Sequence, residues 1–193
     1  MTRLYLFVEG MDDIRFFESA VVPRLQTRYD AVHLIGYAGM KNVRVSSYLR
    51  AITALNDDYL LVADIDDAAN TGAKKDIIRH RFPEIDPGRI IIVIMEIEGW
   101  YLAGLSADDS RILGLPDYPD TNRLIKEQFN ALIPVRFDSR IDFLIELLHH
   151  FRPEEAVRKN KSYHYFYCRY LDDPGVSPER GVTSQEIISD HSQ

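Results

Sequence analysis

Short apolar runs alternate along the chain with longer stretches in which hydrophobic residues recur at helical spacing. Runs at residues 4–8, 59–63 and 90–95 are rich in β-formers and predict strands buried on both faces of a sheet. A fourth strand is predicted at residues 31–35, and helical spacing predicts helices at about residues 12–25, 42–55 and 72–81. The alternation predicts an α/β fold, with a mainly parallel sheet flanked by helices and right-handed crossovers.

The pattern changes after residue 105. Residues 107–121 contain Gly114, Pro116 and Pro119 and predict a surface excursion with a short helix, followed by helices at about residues 122–132 and 139–150. We therefore predict an α/β core at residues 1–105 and a C-terminal helical extension packed on it at residues 106–172. Residues 173–193 are rich in proline, glycine, serine and acid and predict a tail.

Acidic side chains follow three of the predicted strands. Glu9 follows the first, Asp64 and Asp66 follow the run at 59–63, and Glu96 and Glu98 follow the last. In an open α/β sheet the carboxyl ends of the strands share one edge, and two acids spaced by one residue in an extended segment point to one side. An acid after a single strand is common where a strand leads into a helix. Recurrence at three strands favours a divalent metal site, because a hard cation relieves repulsion between crowded carboxylates.

These residues resemble the Toprim family, which topoisomerases, primases and nucleases share. The family has a glutamate after its first strand and Asp-x-Asp after a later one, as in Glu9 and in Asp64 with Asp66. The helix-start acid Asp13 and the segment EIEGWYL at 96–102 look like its nuclease branch, typified by the OLD (overcoming lysogenization defect) proteins. The stretches IEGWYLAG and KNKS, at 97–104 and 159–162, look like small stand-alone bacterial and archaeal members of that branch.

The resemblance implies a Toprim-like, Rossmann-like fold and a metal-dependent nuclease that hydrolyses phosphodiester bonds of DNA or RNA, as an endonuclease or an exonuclease. A role in phage defence is implied in the same way. The implied ligands of Mg²⁺ or Mn²⁺ are Glu9, Asp13, Asp64, Asp66 and Glu98. The implied catalytic residues are Glu9, Asp64, Asp66 and Lys161. The predicted substrate-binding residues are Arg158, Lys159 and Lys161, which lie in a basic stretch near the end of the chain. Lys161, or Lys159 in its place, would neutralise charge on the scissile phosphate.

Basic and aromatic residues interleave between residues 152 and 170. This pattern suits single-stranded nucleic acid, which is bound by phosphate attraction and base stacking. An amphipathic C-terminal helix with its aromatic rings in the core explains it equally well, and both interpretations stay open. Trp100 is expected to pack in the core. Lys74, Lys75, Arg79 and Arg81 are expected to form a solvated helix face.

Composition narrows the class of protein. The 193 residues carry a net charge of −7, which argues against a passive nucleic-acid binder but not against an enzyme whose metal ions attract phosphate. A single cysteine, Cys168, excludes a disulfide framework and a cysteine-rich zinc site. With no signal-peptide pattern and no apolar run near the roughly 20 residues that span a bilayer, we expect a soluble cytoplasmic protein without a membrane partner.

A second hypothesis is a Toprim subunit that binds metal, cleaves nothing and partners a separate ATPase. The chain has no Gly-rich P-loop, so such an ATPase would be another polypeptide. A homodimer stays an open alternative. A haloacid-dehalogenase-like phosphatase also uses Asp-x-Asp, but that pattern requires a threonine two residues on, near the first strand. Ala68 occupies that position here, in the middle of the chain.

Overall fold

A four-stranded parallel sheet organises the computed structural model, which describes residues 2–172. The strands are β1 (Arg3–Val8), β2 (Ala31–Gly36), β3 (Asp58–Asp64) and β4 (Ile90–Val93). They lie in the order β2-β1-β3-β4, and the three neighbouring pairs are parallel. The predicted α/β fold with a mainly parallel sheet is confirmed. The predicted tail at residues 173–193 lies outside the described residues.

Helices connect the strands close to the predicted positions. They are α1 (Met11–Phe16), α2 (Val22–Leu25), α3 (Asn42–Ala54) and α4 (Thr71–Arg81). A π-helical turn, Phe17–Val21, joins α1 to α2, and a 3₁₀ turn, Pro87–Arg89, leads into β4. The π-helical turn comes shortly before Pro23, which has no N–H to bond the carbonyl four residues earlier. The predicted helix at 12–25 is therefore one helical stretch with an irregular turn.

Short helices follow β4. They are α5 (Glu98–Ala103), α6 (Ala107–Leu113), α7 (Lys126–Ala131), α8 (Arg140–His149), α9 (Pro153–Lys159) and α10 (Lys161–Phe166), with a π-helical turn at Tyr167–Leu171. The helix predicted at 122–132 is thus shorter at its start. None of the helices in this described part of the chain is both long and apolar enough to cross a membrane.

The end of β4 corrects one prediction. The strand stops at Val93 rather than Met95, and Met95 has a φ of 61°, in the left-handed region that an extended strand does not visit. Glu98 is then the first residue of α5. Glu96 and Glu98 therefore do not share one face of an extended segment, as the period-two spacing predicted.

Successive residues of β1 pack into two hydrophobic clusters, one on each face of the sheet. Leu6 belongs to the larger cluster and Phe7 to the smaller. The larger cluster also contains Trp100 and Phe143, so residues before and after position 105 share it. Trp100 is fully buried and stacks on Phe166, with ring centroids 5.4 Å apart. Its predicted packing role is confirmed.

The aromatic residues near position 165 belong to the same core. Tyr163 and Phe166 are fully buried, and Tyr165, Tyr167 and Tyr170 are partly buried against the larger cluster. For these residues the structure agrees with the amphipathic-helix interpretation, because rings packed in a core are not free to stack on bases.

Candidate metal centre

One cleft, of about 310 Å³, lies at the carboxyl ends of β1 and β3 and the beginnings of α1 and α5. Its charged lining consists of Glu9, Asp12, Asp13, Asp64, Glu96, Glu98 and Lys126. Four of the five predicted metal ligands are therefore brought to one place, as expected for acids that follow neighbouring strands of a parallel sheet. Asp66 is not part of this lining.

Glu9 and Asp64 are held together through the backbone. Strands β1 and β3 are neighbours, and the Asp64 N–H donates a hydrogen bond of 3.2 Å to Glu9 Oε1. The same oxygen lies 3.2 Å from the hydroxyl of Tyr37, the residue that follows β2. The Asp64 N–H and the Tyr37 hydroxyl, whose single proton is shared with the Val62 carbonyl at 3.2 Å, thus both contact one oxygen of the Glu9 carboxylate.

Asp13 enters the cleft from the first turn of α1. Its Oδ2 accepts a hydrogen bond of 3.0 Å from the Gly10 N–H, which satisfies a donor at the start of the helix. The side chain is largely buried, and burial, followed by the nearby charge of Glu9, raises the pKa of Asp13 to about 6.

Asp64 is the least satisfied acid of the cleft. Its Oδ1 is buried and has no hydrogen-bond partner among residues 2–172. Burial, followed by the neighbouring charges of Asp13 and Glu9, raises the pKa of Asp64 to about 9. A buried carboxylate oxygen without a partner, among other carboxylates, is the condition that a bound divalent cation relieves.

Glu98 is bound to two cations that sequence reasoning did not identify. Arg140, from α8, places Nη2 2.6 Å from Glu98 Oε1, and Lys126, from α7, places Nζ 3.6 Å from the same oxygen. Burial raises the pKa of Glu98, and the two cations oppose that rise. Arg140 also binds Asp12, and the Lys126 N–H donates to Glu96. Neither cation lies in a motif, so no local signal marked them.

Asp66 faces away from this arrangement. Its φ is 46°, its side chain is 64% exposed, and its Oδ2 lies 2.5 Å from Lys74 Nζ. The expectation that Lys74 forms part of a solvated face is wrong, because Lys74 is buried beside Asp66. The left-handed backbone turns the second acid of the Asp-x-Asp away from the first, which the period-two rule for strands does not anticipate.

The three cations predicted near the end of the chain do not line the cleft. Lys159 is buried, and its Nζ donates to the Leu105 carbonyl at 2.6 Å and to Asp117 at 3.2 Å. Arg158 is exposed and pairs with Glu155 at 2.5 Å. Both line a separate cleft of about 550 Å³. Lys161 is exposed, and its predicted contact with substrate stays a prediction.

The donor set of the acidic cleft fits a hard cation in its chemistry. Carboxylate oxygens are the ligands that Mg²⁺ and Mn²⁺ prefer, and Asp64 Oδ1 is without a partner. Within residues 2–172, however, no three His, Cys, Asp or Glu side chains converge closely enough to hold a metal ion as they stand. Two of the predicted ligands are bound instead to cations, Glu98 to Arg140 and Asp66 to Lys74.

Neither a protein-family model nor a curated protein matches the chain. Among solved structures, the chain is similar to the C-terminal region of the Burkholderia pseudomallei OLD protein, with 16% identity and a TM-score of 0.39 over 84% of this chain and 91% of that one. It is also similar to the C-terminal region of the Xanthomonas campestris pv. campestris OLD protein, with 18% identity and a TM-score of 0.33 over 77% and 79%. Because both TM-scores are low, these similarities carry no functional argument, and the inference about function rests on the cleft itself.

Proposed function

We propose that this chain is a divalent-metal-dependent nuclease that hydrolyses phosphodiester bonds in nucleic acid. The observation that carries the proposal is the unpartnered, buried Asp64 Oδ1 at the carboxyl edge of a parallel sheet, beside Glu9 and Asp13. Such an edge is where ligands bind in open α/β sheets. The Toprim-like order of Glu9 and Asp64 in the sequence supports nucleic acid as the substrate class.

Glu9, Asp13, Asp64 and Glu98 would hold Mg²⁺ or Mn²⁺, since these are the predicted ligands that line the cleft. When bound, the ion would stabilise charge on a phosphoryl oxygen and lower the pKa of a water molecule. Asp66 would contribute a ligand only after leaving Lys74. The role of the protein is to hold these carboxylates in a site where burial makes their charges costly without the ion.

Lys126 supplies the cation that meets the phosphate in this proposal. Its side chain is half exposed at the cleft and lies 3.6 Å from Glu98, so it can turn toward an incoming anion. Arg140 is less suited to that task. Besides its carboxylate partners, its Nε donates to Asn130 at 2.9 Å and its guanidinium lies over the Phe129 ring. Arg140 therefore anchors Glu98.

The test uses purified protein with end-labelled single-stranded and duplex DNA and RNA, in Mg²⁺, Mn²⁺ or EDTA. We expect cleavage that requires metal and that Asp64→Asn abolishes. A matched control is Asp76→Asn, because Asp76 is an exposed carboxylate on α4 that pairs only loosely with Arg79, at 3.5 Å. Asp76→Asn should cleave at the wild-type rate, and Lys126→Ala should raise KM more than it lowers kcat.

Binding of the metal is measured separately, by the rise in thermal unfolding temperature on adding Mn²⁺. A ligand that binds only the folded state stabilises it in proportion to the logarithm of its concentration above Kd. Cleavage in EDTA, or full activity of Asp64→Asn, would refute the proposal. Stabilisation by Mn²⁺ without cleavage of any substrate would favour the hypothesis of a non-cleaving subunit. No specific contact within residues 2–172 favours that hypothesis.

A further inference from the structure

Tyr37 connects the two strand ends that carry Glu9 and Asp64. Its hydroxyl lies 3.2 Å from Glu9 Oε1 and 3.2 Å from the carbonyl oxygen of Val62, two residues before Asp64. One hydroxyl, from the residue after β2, thus contacts both the residue after β1 and a residue of β3.

The rest of Tyr37 is fixed in place. Its backbone N–H donates to the Val8 carbonyl at 2.9 Å, and the next N–H, that of Ala38, donates to the Glu9 carbonyl at 3.3 Å. The ring belongs to the smaller hydrophobic cluster, with Phe7 and Val45, and the residue is only 4% exposed. A side chain held at both ends has little freedom to leave Glu9.

The contacts of Glu9 show what this hydroxyl does. The Tyr37 hydroxyl and the Asp64 N–H both meet Oε1, and neither engages the other carboxylate oxygen. Both contacts therefore fall on Oε1, and among residues 2–172 neither of these donors competes with a ligand for Oε2. Partners of this kind, which orient a metal-binding group without touching the metal, typically change metal affinity by 10- to 100-fold when removed.

We propose that Tyr37 is a positioning residue that acts through Glu9 on binding of a divalent cation. The assignment rests on the proposed function. No pattern in the sequence marks it, because Gly36-Tyr37-Ala38-Gly39 is typical of an ordinary turn. Tyr37 joins the site only because β2 lies next to β1, which brings the residue after β2 beside the residue after β1.

The variant Tyr37→Phe removes the hydroxyl and keeps the packed ring. Tyr163→Phe is the matched control, because Tyr163 is another buried tyrosine and its hydroxyl has no hydrogen-bond partner in the described part of the chain. Binding of Mn²⁺ is followed by the loss of the free-ion signal in electron paramagnetic resonance, and folding by circular dichroism. We expect Tyr37→Phe to fold and to bind Mn²⁺ about 10- to 100-fold more weakly than wild type. Tyr163→Phe should bind as wild type does.

A positioning role of Tyr37 also predicts how the cleavage rate depends on the Mn²⁺ concentration. The loss in Tyr37→Phe should shrink as Mn²⁺ is raised to saturation, because the metal concentration compensates for weaker binding. An Mn²⁺ affinity within about twofold of wild type, or loss of the folded state in Tyr37→Phe, would overturn the assignment, since the hydroxyl would then have no role or a purely structural one. Failure of the wild-type protein to bind Mn²⁺ would instead overturn the proposed function, and this assignment with it.

Discussion

Arg140 forms an ion pair with Glu98, an acid of the cleft, with Arg140 Nη2 2.6 Å from Glu98 Oε1. Arg140 is three-quarters buried and Glu98 almost completely so. The pair joins α8, in the part of the chain after residue 105, to the first residue of α5 beside the sheet edge. The charge of a predicted metal ligand is therefore compensated by a residue from the helical extension.

Arg140→Ala is expected to lower the free energy of unfolding by about 2 kcal/mol or more, because it leaves the buried Glu98 charge with Lys126 as its remaining cation. Adding Glu98→Gln should recover part of the loss. Denaturant unfolding in EDTA measures the free energy of unfolding of the single and the double variant. Arg111→Ala is the control, since Arg111 and Asp108 form a largely exposed pair whose loss should cost less than about 0.5 kcal/mol. Equal effects of the two arginine variants would contradict the buried-pair interpretation.

The raised pKa of Asp64 predicts a pH dependence of stability in the metal-free protein. The pKa of Asp64 is about 9 when folded, against roughly 4 in an unfolded chain. Between these values the folded state binds a proton that the unfolded state has lost, so stability falls as pH rises, by up to about 1.4 kcal/mol per pH unit. Asp64→Asn removes this group, and its stability should fall less steeply with pH.

Urea unfolding between about pH 5 and pH 8, in EDTA, tests this dependence, with Asp76→Asn as the exposed control. Asp64→Asn should become more stable than wild type as pH rises, whereas Asp76→Asn should follow the wild-type curve. Parallel curves for Asp64→Asn and wild type would show that the carboxyl is not strained by its surroundings. Saturating Mn²⁺ should flatten the wild-type curve, since a bound cation stabilises the ionised carboxylates.

Lys159 and Lys161 are predicted to differ in how much they contribute to stability. Lys159→Met should destabilise the protein by about 1–3 kcal/mol, because it leaves the Leu105 carbonyl and Asp117 without their cation. Lys161→Met, at an exposed side chain, should change stability by less than about 0.5 kcal/mol. If Lys161 contacts substrate, as the resemblance implies, Lys161→Met should nevertheless slow cleavage. A Lys161→Met protein that cleaves at the wild-type rate would exclude that role.

A substitution at Gly104 tests how tightly the segment after α5 packs. A Cβ at this position would lie 2.1 Å from Phe151 Cδ2, and Phe151 itself packs edge-on against Phe16, with centroids 5.1 Å apart. Gly104→Ala should therefore destabilise the fold by about 1–3 kcal/mol in a thermal or urea unfolding experiment. Gly39→Ala is the control, since a Cβ there meets no atom of residues 2–172 within 4 Å. A neutral Gly104→Ala would mean that the Phe151 ring yields easily.

The sequence predicted the sheet and the gathering of its acids well. The strands ending at Val8 and Asp64 lie where their apolar runs are, because a buried parallel strand requires a continuous hydrophobic segment. Glu9 and Asp64 meet because parallel neighbours end at one edge. These are properties of local pattern and of a general rule of topology, and both can be obtained without knowing how distant parts pack.

Local pattern and strand topology did not predict the direction of each side chain. Asp66 points to Lys74 because of one left-handed backbone residue, and Glu98 begins a helix because the chain turns at Met95. Tyr37 meets Glu9 only because of the order of the strands, and Arg140 meets Glu98 only because of the packing of α8. The sequence by itself therefore determined that Glu9, Asp13, Asp64 and Glu98 gather at one cleft, but not that Asp66 lies outside it. The tertiary structure decided which cations and hydroxyls meet them, since such contacts depend on the packing of the entire core rather than on any local segment.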